Sequence, residues 1–512
     1  MKPKLLFWID QALLHFGLAK FIQENLDCEI YSIFEVTEKA KKFFQNQKIV
    51  NFEKKWFYHD YILKQKSKPD IKYLEEIEKK YNLNLQLIAF NDRIFYNWNT
   101  YRKFTRDEIL LILQDEIKFF ESILDEIKPD FIIMAATHQQ HNHIFYKICI
   151  GRGIKIIMPI SGRIGINPKS PMKHSDRIYL SDELDQCLPL PDNKKIDNSD
   201  TVISQKNNPY TDKKLSYMFQ TSTTKYVMAG IRYLITNDEN VKTHYSYFGR
   251  SKLKVIFKTL YVELRKKYRE NFMRKNLEYK IKEKSNFVYF PLHQEMERIL
   301  LIGAPFFINQ FEVIRNIANS LPVGYRLYVK DHVVMNYRGW RSINEMKKIM
   351  SLPNVMLFHP SVDSSELIKK SKLVISIAGS SSIEAAFYNK PSISFENVGM
   401  YKISTMTIIK SIKDLSKIIR NSLTQTVDEN EMRRYEKTVM DNTFEFPFTR
   451  IEYAFEDTFK MGGYYANAEM KSETMSEFLE KFRPELTFFA LKHIEKMKVL
   501  AQTDFKFEEQ VN

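Results

Sequence analysis

The stretch Gly379-Ser380-Ser381-Ser382-Ile383-Glu384 sets one glycine and three hydroxyls between an apolar run, Leu373 to Ala378, and the start of a helical pattern. A glycine lets the backbone approach a ligand closely, and a helix N-terminus offers unsatisfied N–H donors and positive partial charge, a combination suited to phosphate. Ser381-x-x-Glu384 also has the spacing of a capping box, which would satisfy the helix start with no ligand at all. A second apolar run, Tyr325 to Lys330, ends in Lys330-Asp331-His332. There an ammonium and an imidazole could neutralise a departing phosphate without a metal, although a surface lysine beside a packed histidine is the ordinary alternative. A third run, Phe287 to Pro291, leads to Leu292-His293-Gln294-Glu295. Ligands of open parallel sheets bind beyond the carboxyl ends of the strands. His293, Lys330 with His332, and Gly379 to Ser382 with Glu384 are therefore expected to converge on one phosphate-binding crevice.

The first half of the chain offers a different set. Asp10 closes the opening run Leu5 to Ile9 and is the leading candidate for a base that takes a proton from an acceptor hydroxyl; its ordinary role would be an N-cap. His138-Gln139-Gln140-His141-Asn142-His143 follows the run Phe131 to Ala136. Three histidines invite a metal, but no carboxylate or cysteine accompanies them locally, so acceptor hydrogen bonding by His138 and His141, or a helix start with exposed imidazoles, is the favoured reading and no metal is expected. Arg163 and Arg177 could meet an anionic acceptor, with plain surface arginines as the default.

The elements that must position these residues alternate throughout. Strand, helix and strand are expected over Leu5–Ile9, Gln11–Asn25 and Glu29–Phe34. An amphipathic helix over Arg106–Ile127, capped by Thr105, precedes further strands at Phe131–Ala136 and Ile154–Pro159. From Phe287 the same rhythm restarts, with five strands ending near Glu396 and helices between them. The expected organisation is an N-terminal domain over 1–205, a basic helical connector over 206–285, a second α/β domain over 286–425 and a helical tail over 426–512 with no role that the sequence assigns.

Composition narrows the function classes. The chain has 512 residues, 14 glycines and no GxxxxGK followed by Ser or Thr, which removes the P-loop nucleotide hydrolases. Cys28, Cys149 and Cys187 are scattered, suiting a reducing compartment rather than a disulfide framework. The opening apolar run stops at Asp10, too soon for a signal peptide, and a cytoplasmic protein is expected. The net charge of +15 is partly concentrated between Arg250 and Lys284, where 13 Lys or Arg meet four Glu. Interleaved apolar residues at helical spacing make this segment a candidate for an anionic membrane surface at the inner face of the plasma membrane, for a plain solvated connector, or, less favoured, for nucleic acid.

Several of these motifs, in order, resemble the capsule and surface polysaccharide biosynthesis family, which includes bacterial capsule Kdo transferases. The residues are Tyr289-Phe290-Pro291-Leu292-His293, Pro305-Phe306-Phe307 with Gln310, Leu321 to His332, Leu352-Pro353-Asn354-Val355, Gly379-Ser380 with Glu384-Ala385, and Lys390-Pro391. The resemblance implies a GT-B-type glycosyltransferase: α/β, with two Rossmann-like domains facing across a cleft and a helical C-terminal tail. It implies a nucleotide-sugar donor, CMP-Kdo in the capsule enzymes, as substrate and no further cofactor, with transfer to a glycan or lipid-linked acceptor. By the same resemblance, His332 stands at the family's His-Pro motif, and Ser380 with Ser381 at its hydroxyl-rich phosphate motif. The chain departs from the pattern at Val333, where the proline is absent, and at Gln294-Glu295, where the family has Pro-Glu; a His-Pro pair occurs one strand later, at His359-Pro360. Alternatives in the same shape are a sugar-nucleotide epimerase, a polyol-phosphate transferase and a catalytically degenerate binding protein.

Overall fold

The computed structural model describes residues 2–10, 12–63, 67–90, 92–95, 100–162, 177–184, 223–236, 244–282, 285–294, 297–332, 341–396, 403–462, 467 and 469–501. Its strands, in chain order, are β1 (Lys4–Ile9), β2 (Glu29–Phe34), β3 (Lys54–Phe57), β4 (Phe131–Ile133), β5 (Lys155–Ser161) and β6 (Arg177–Ser181) in the first half. The second half holds β7 (Phe287–Pro291), β8 (Arg326–Lys330), β9 (Val355–Phe358), β10 (Leu373–Ser376), β11 (Ser392–Ser394), β12 (Met406–Ile408) and β13 (Phe444–Glu445).

They form two sheets, ordered β13-β6-β5-β4-β1-β2-β3 and β12-β11-β10-β7-β8-β9. The second sheet is parallel throughout, while the first is parallel from β3 to β5 and antiparallel at β6 and β13. Each half, counted in its own chain order, follows the doubly wound Rossmann sequence of strands, and the order reverses between β1 and β4 and again between β7 and β10. The α/β class, the two Rossmann-like sheets and the helical tail are thus as expected.

The cause lies in strands that are apolar on both faces. In β1, Leu5, Phe7 and Ile9 point into one core and Leu6 and Trp8 into another. In β7, Val288 and Phe290 enter one core while Phe287 and Tyr289 enter a second. Alternation of side chains with period two then demands a helical layer on each face. One layer of the first sheet is led by the helix Arg106–Ile127, whose start carries Thr105 as the expected N-cap, which Glu108 completes into a capping box.

The other layer is supplied by the far end of the chain. The helix Glu429–Asp441 packs Met432, Tyr435 and Val439 against Ile383 and Ala386 of the second half. After it, β13 joins β6, and the helices Phe448–Phe459, Ser472–Lys481 and Arg483–Ala501 cover the first sheet with the helix Leu14–Asn25. Gly17 permits this approach, because a Cβ there would stand 3.0 Å from Leu479 Cδ2 and 3.2 Å from Leu486 Cδ1. The tail is therefore the lid of the first core. Arg177 belongs to the same arrangement: its guanidinium donates to Thr443 Oγ1 and to the carbonyls of Met440 and Thr443, which ties the returning chain to β6.

Candidate functional site

The order reversal between β7 and β10 brings the loops after these strands side by side, which is where an open α/β sheet has room for a ligand. His293, just beyond β7, is held by Gln310: its N–H donates to Gln310 Oε1 at 2.7 Å and its carbonyl accepts from Gln310 Nε2 at 3.1 Å. The imidazole lies against the loop after β10. Its Nε2 accepts from the Ala378 N–H at 3.4 Å, and a Cβ on Gly379 would come within 2.8 Å of its Cε1. Gly379 is therefore required for close approach, since its φ is not in the left-handed region. Burial, followed by the charge of His332, pushes His293 down to about 4, so the ring is neutral and acts as a hydrogen-bonding group.

Lys330 ends the neighbouring strand β8. Its ammonium donates to Val362 O at 2.8 Å and Pro360 O at 3.3 Å, which brings the His359-Pro360 pair to the same corner. Burial pulls Lys330 down to about 8, against the opposing charges of Asp363, Glu384 and Asp331. Glu384 moves the other way, pushed up to about 7 by burial and by Asp363, with Lys330 opposing. Next in the chain, Asp331 and Arg341 form a buried ion pair with Nε–Oδ2 at 2.8 Å, and Asp331 Oδ1 accepts from the His332 N–H at 2.8 Å. His332 itself is exposed.

The helix Ser381–Phe387 opens on Ser380 with no side-chain cap, so the Ser381/Glu384 capping box does not form, and Glu384 lies in the field of Asp363 and Lys330. Ser380 and Ser381 are half-buried at the loop. Ser382 is fully buried, and its hydroxyl pairs with Ser376 Oγ at 2.7 Å, which commits it to the sheet rather than to an approaching ligand. The structure thus brings together His293, Gly379 and, one strand over, Lys330 and Glu384. Asp363, the exposed N-cap of the helix Ser364–Lys370, belongs with them electrostatically although the sequence reading did not single it out. Val333 and Glu295 lie outside the described residues.

The first sheet has a matching corner where its order reverses between β1 and β4. Asp10, beyond β1, accepts from the Ala12 N–H at 2.9 Å; the helix that follows begins at Leu14 on a left-handed Leu13, so Asp10 is not its N-cap. Its carboxylate charge is felt by His138. His141 is buried and sets its Nε2 3.0 Å from Glu35 Oε2, beyond β2, where the Trp8 indole also donates at 3.2 Å. Burial alone would lower His141, but Glu35, then Glu116 and Asp92, outweigh it and raise the imidazole; Glu35 is correspondingly lowered, with His141 overcoming its burial. Both shifts favour the charged forms of the two groups. Behind them Glu116 is pushed up to about 7 by burial while accepting from Tyr58, Gln140 and Tyr245.

His143 turns instead to Thr137 Oγ1 at 3.1 Å. Among the described residues no group of three His, Cys, Asp or Glu is arranged to hold a metal ion. Arg163 lies outside the described residues. Glu35, Glu116 and Tyr245 are missing from the sequence reading. Glu35 was legible as the first residue past a strand, and Glu116 as a carboxylate on the apolar face of a long helix; Tyr245 reaches the cluster only through tertiary folding.

No protein-family model matches the chain, and no curated protein matches it. Solved structures similar to it include UDP-GlcNAc 2-epimerase from Neisseria meningitidis bound to UDP-GlcNAc, at 11% identity over 86% of this chain and 99% of that one, with a TM-score of 0.22. Another is the KpsC beta Kdo 2,7 transferase of Thermosulfurimonas dismutans, at 9% identity over 63% of this chain and 89% of that one, with a TM-score of 0.26. A third is the N-terminal domain of Candida albicans trehalose-6-phosphate phosphatase, at 10% identity over 86% and 94% of the two chains, with a TM-score of 0.30. At these values no residue role carries over from them.

Proposed function

We propose that the chain is a glycosyltransferase of surface-polysaccharide type that uses a nucleotide sugar, with the donor phosphate held at the β7/β10 corner and the acceptor at the β1/β4 corner. The observation that carries this reading is the packing of buried His293 on Gly379, one strand from the buried Lys330 ammonium. A buried ammonium next to a helix start can stabilise a departing phosphate with no divalent cation, because its charge is little screened there. In the transfer, Asp10 takes the proton of the acceptor hydroxyl and the freed oxygen bonds to the anomeric carbon. The anomeric carbon–phosphate oxygen bond breaks and its electron pair stays on the phosphate, facing Lys330 and the N–H groups of Ser380 and Ser381. His332 and His293 serve as hydrogen-bonding groups to the same phosphate, and His138 orients the acceptor. A related acidic sugar such as Kdo on CMP is the donor that the sequence resemblance favours.

The test is incubation with CMP- and UDP-sugars in the absence of acceptor. The transferase leaves the donor unchanged except for slow hydrolysis; an isomerised donor would instead identify an epimerase. Donor binding should also depend on pH in a defined direction. Lys330 carries its proton below about 8 and loses it above, while Glu384 is neutral below about 7 and negative above. Both changes oppose a phosphate as pH rises, so calorimetric affinity should fall by about tenfold or more between pH of about 6 and about 9. Glu384→Gln should remove the lower of the two steps.

A further inference from the structure

The helix Lys252–Asn276 is built inside out. Its buried residues are Arg269 and Met273, whereas Leu253, Phe257, Leu260, Tyr261, Leu264 and Tyr268 are 57–70% exposed. At 3.6 residues per turn these six fall within an arc of about 100°. Lys254 and Arg265 flank that arc on one side, Lys267 and Arg274 on the other, and all four are exposed. The helix's two acidic residues, Glu263 and Glu270, lie outside it. The preceding helix Thr223–Ile235 repeats the pattern: Ala229 is buried while Val227, Ile231, Leu234 and Ile235 are 48–78% exposed on one side. Lys252 Nζ donates to Leu234 O at 2.6 Å, so the two helices adjoin.

A solvated connector turns its apolar side inward, and this one does the reverse. We infer that these two helices form a docking surface for an anionic lipid bilayer, with the aliphatic and aromatic side chains entering the interface and the flanking cations meeting lipid headgroups. Charge complementarity selects this occupant. A second copy would bring the same excess of cations against this one, and a nucleic-acid backbone would leave the leucines in water. The surface does not rest on the donor chemistry, and its test needs no activity.

The experiment is flotation of the full chain with vesicles of phosphatidylcholine alone or mixed with phosphatidylglycerol. The chain should float with the anionic vesicles and stay behind with the neutral ones. Leu260→Ser with Leu264→Ser, and separately Lys254→Glu with Arg265→Glu, should each lower partitioning by about tenfold or more. All four positions are exposed, so unchanged circular dichroism is expected to accompany the loss. Flotation with neither vesicle, or equally with both, would overturn the inference. So would a solution dimer that the leucine variant dissociates, or binding to nucleic acid that the charge variant abolishes and the leucine variant spares.

Discussion

Lys330→Met should lower affinity for the nucleotide-sugar donor by about a hundredfold or more, the scale expected when one preorganised, charge-assisted phosphate contact is removed from a low-dielectric site. The ammonium is seated at the end of β8, beside the β7/β10 reversal, anchored by Pro360 O and Val362 O. Two carbonyls fix its direction while Glu384 and Asp363 keep it charged near neutrality. Methionine matches the length of the stem and removes only the charge and the donors. Lys330→Arg should not restore binding, because a planar guanidinium cannot occupy the same carbonyl pair without displacing the loop after β9. The measurement is isothermal calorimetry with CMP- and UDP-sugars. Gly379→Ala serves as an independent variant, since its Cβ would push His293 aside without touching Lys330. Unchanged affinity in both variants would remove the donor from this corner.

The second large effect is on stability. Asp331 and Arg341 are both more than nine-tenths buried and paired through Nε and Oδ2. Removing one partner strands the other charge away from water, which typically costs about 3–5 kcal/mol. Arg341→Met alone is thus expected to lower the thermal midpoint by on the order of 10 °C. The double variant Asp331→Leu with Arg341→Met should recover most of that loss, because replacing both charges by apolar groups removes the desolvation penalty. Calorimetric scans of the three proteins check this. Equal midpoints for the single variant and the parent would mean that the ion pair is solvated and contributes nothing. Because Asp331 also receives the His332 N–H, the single variant should loosen His332 and weaken the donor further than stability alone accounts for.

Much of this was legible in the sequence because strand ends are local features. Phe287 to Pro291, Tyr325 to Lys330 and Leu373 to Ala378 read as buried strands from their composition, and the residues after them could be named at once. Thr105 was legible as an N-cap for the same reason. Where pairing decides, the sequence is silent. Met406–Ile408 is three residues long and is a strand only because β11 lies beside it. Phe444–Glu445 becomes an edge of the first sheet only because the tail returns to it. The tail's amphipathic helices advertised an apolar face but not the sheet it covers. At the site itself, Ser381-x-x-Glu384 has the letters of a cap, yet the helix opens on Ser380 with no side-chain cap, and no local rule foresees this. Glu35 and Glu116 stand at positions that local pattern marks, but the partners that make them a site, His141 and Tyr245, are far away in the chain.

The most direct test is a crystal structure of the chain with a non-hydrolysable CMP- or UDP-sugar. The donor phosphate is expected within hydrogen-bonding reach of Lys330 Nζ and of the Ser380 and Ser381 N–H groups, with the sugar turned toward Asp10. A nucleotide seated instead at the Glu35–His141 corner, or bound with Lys330 and Ser380 left untouched, would contradict this.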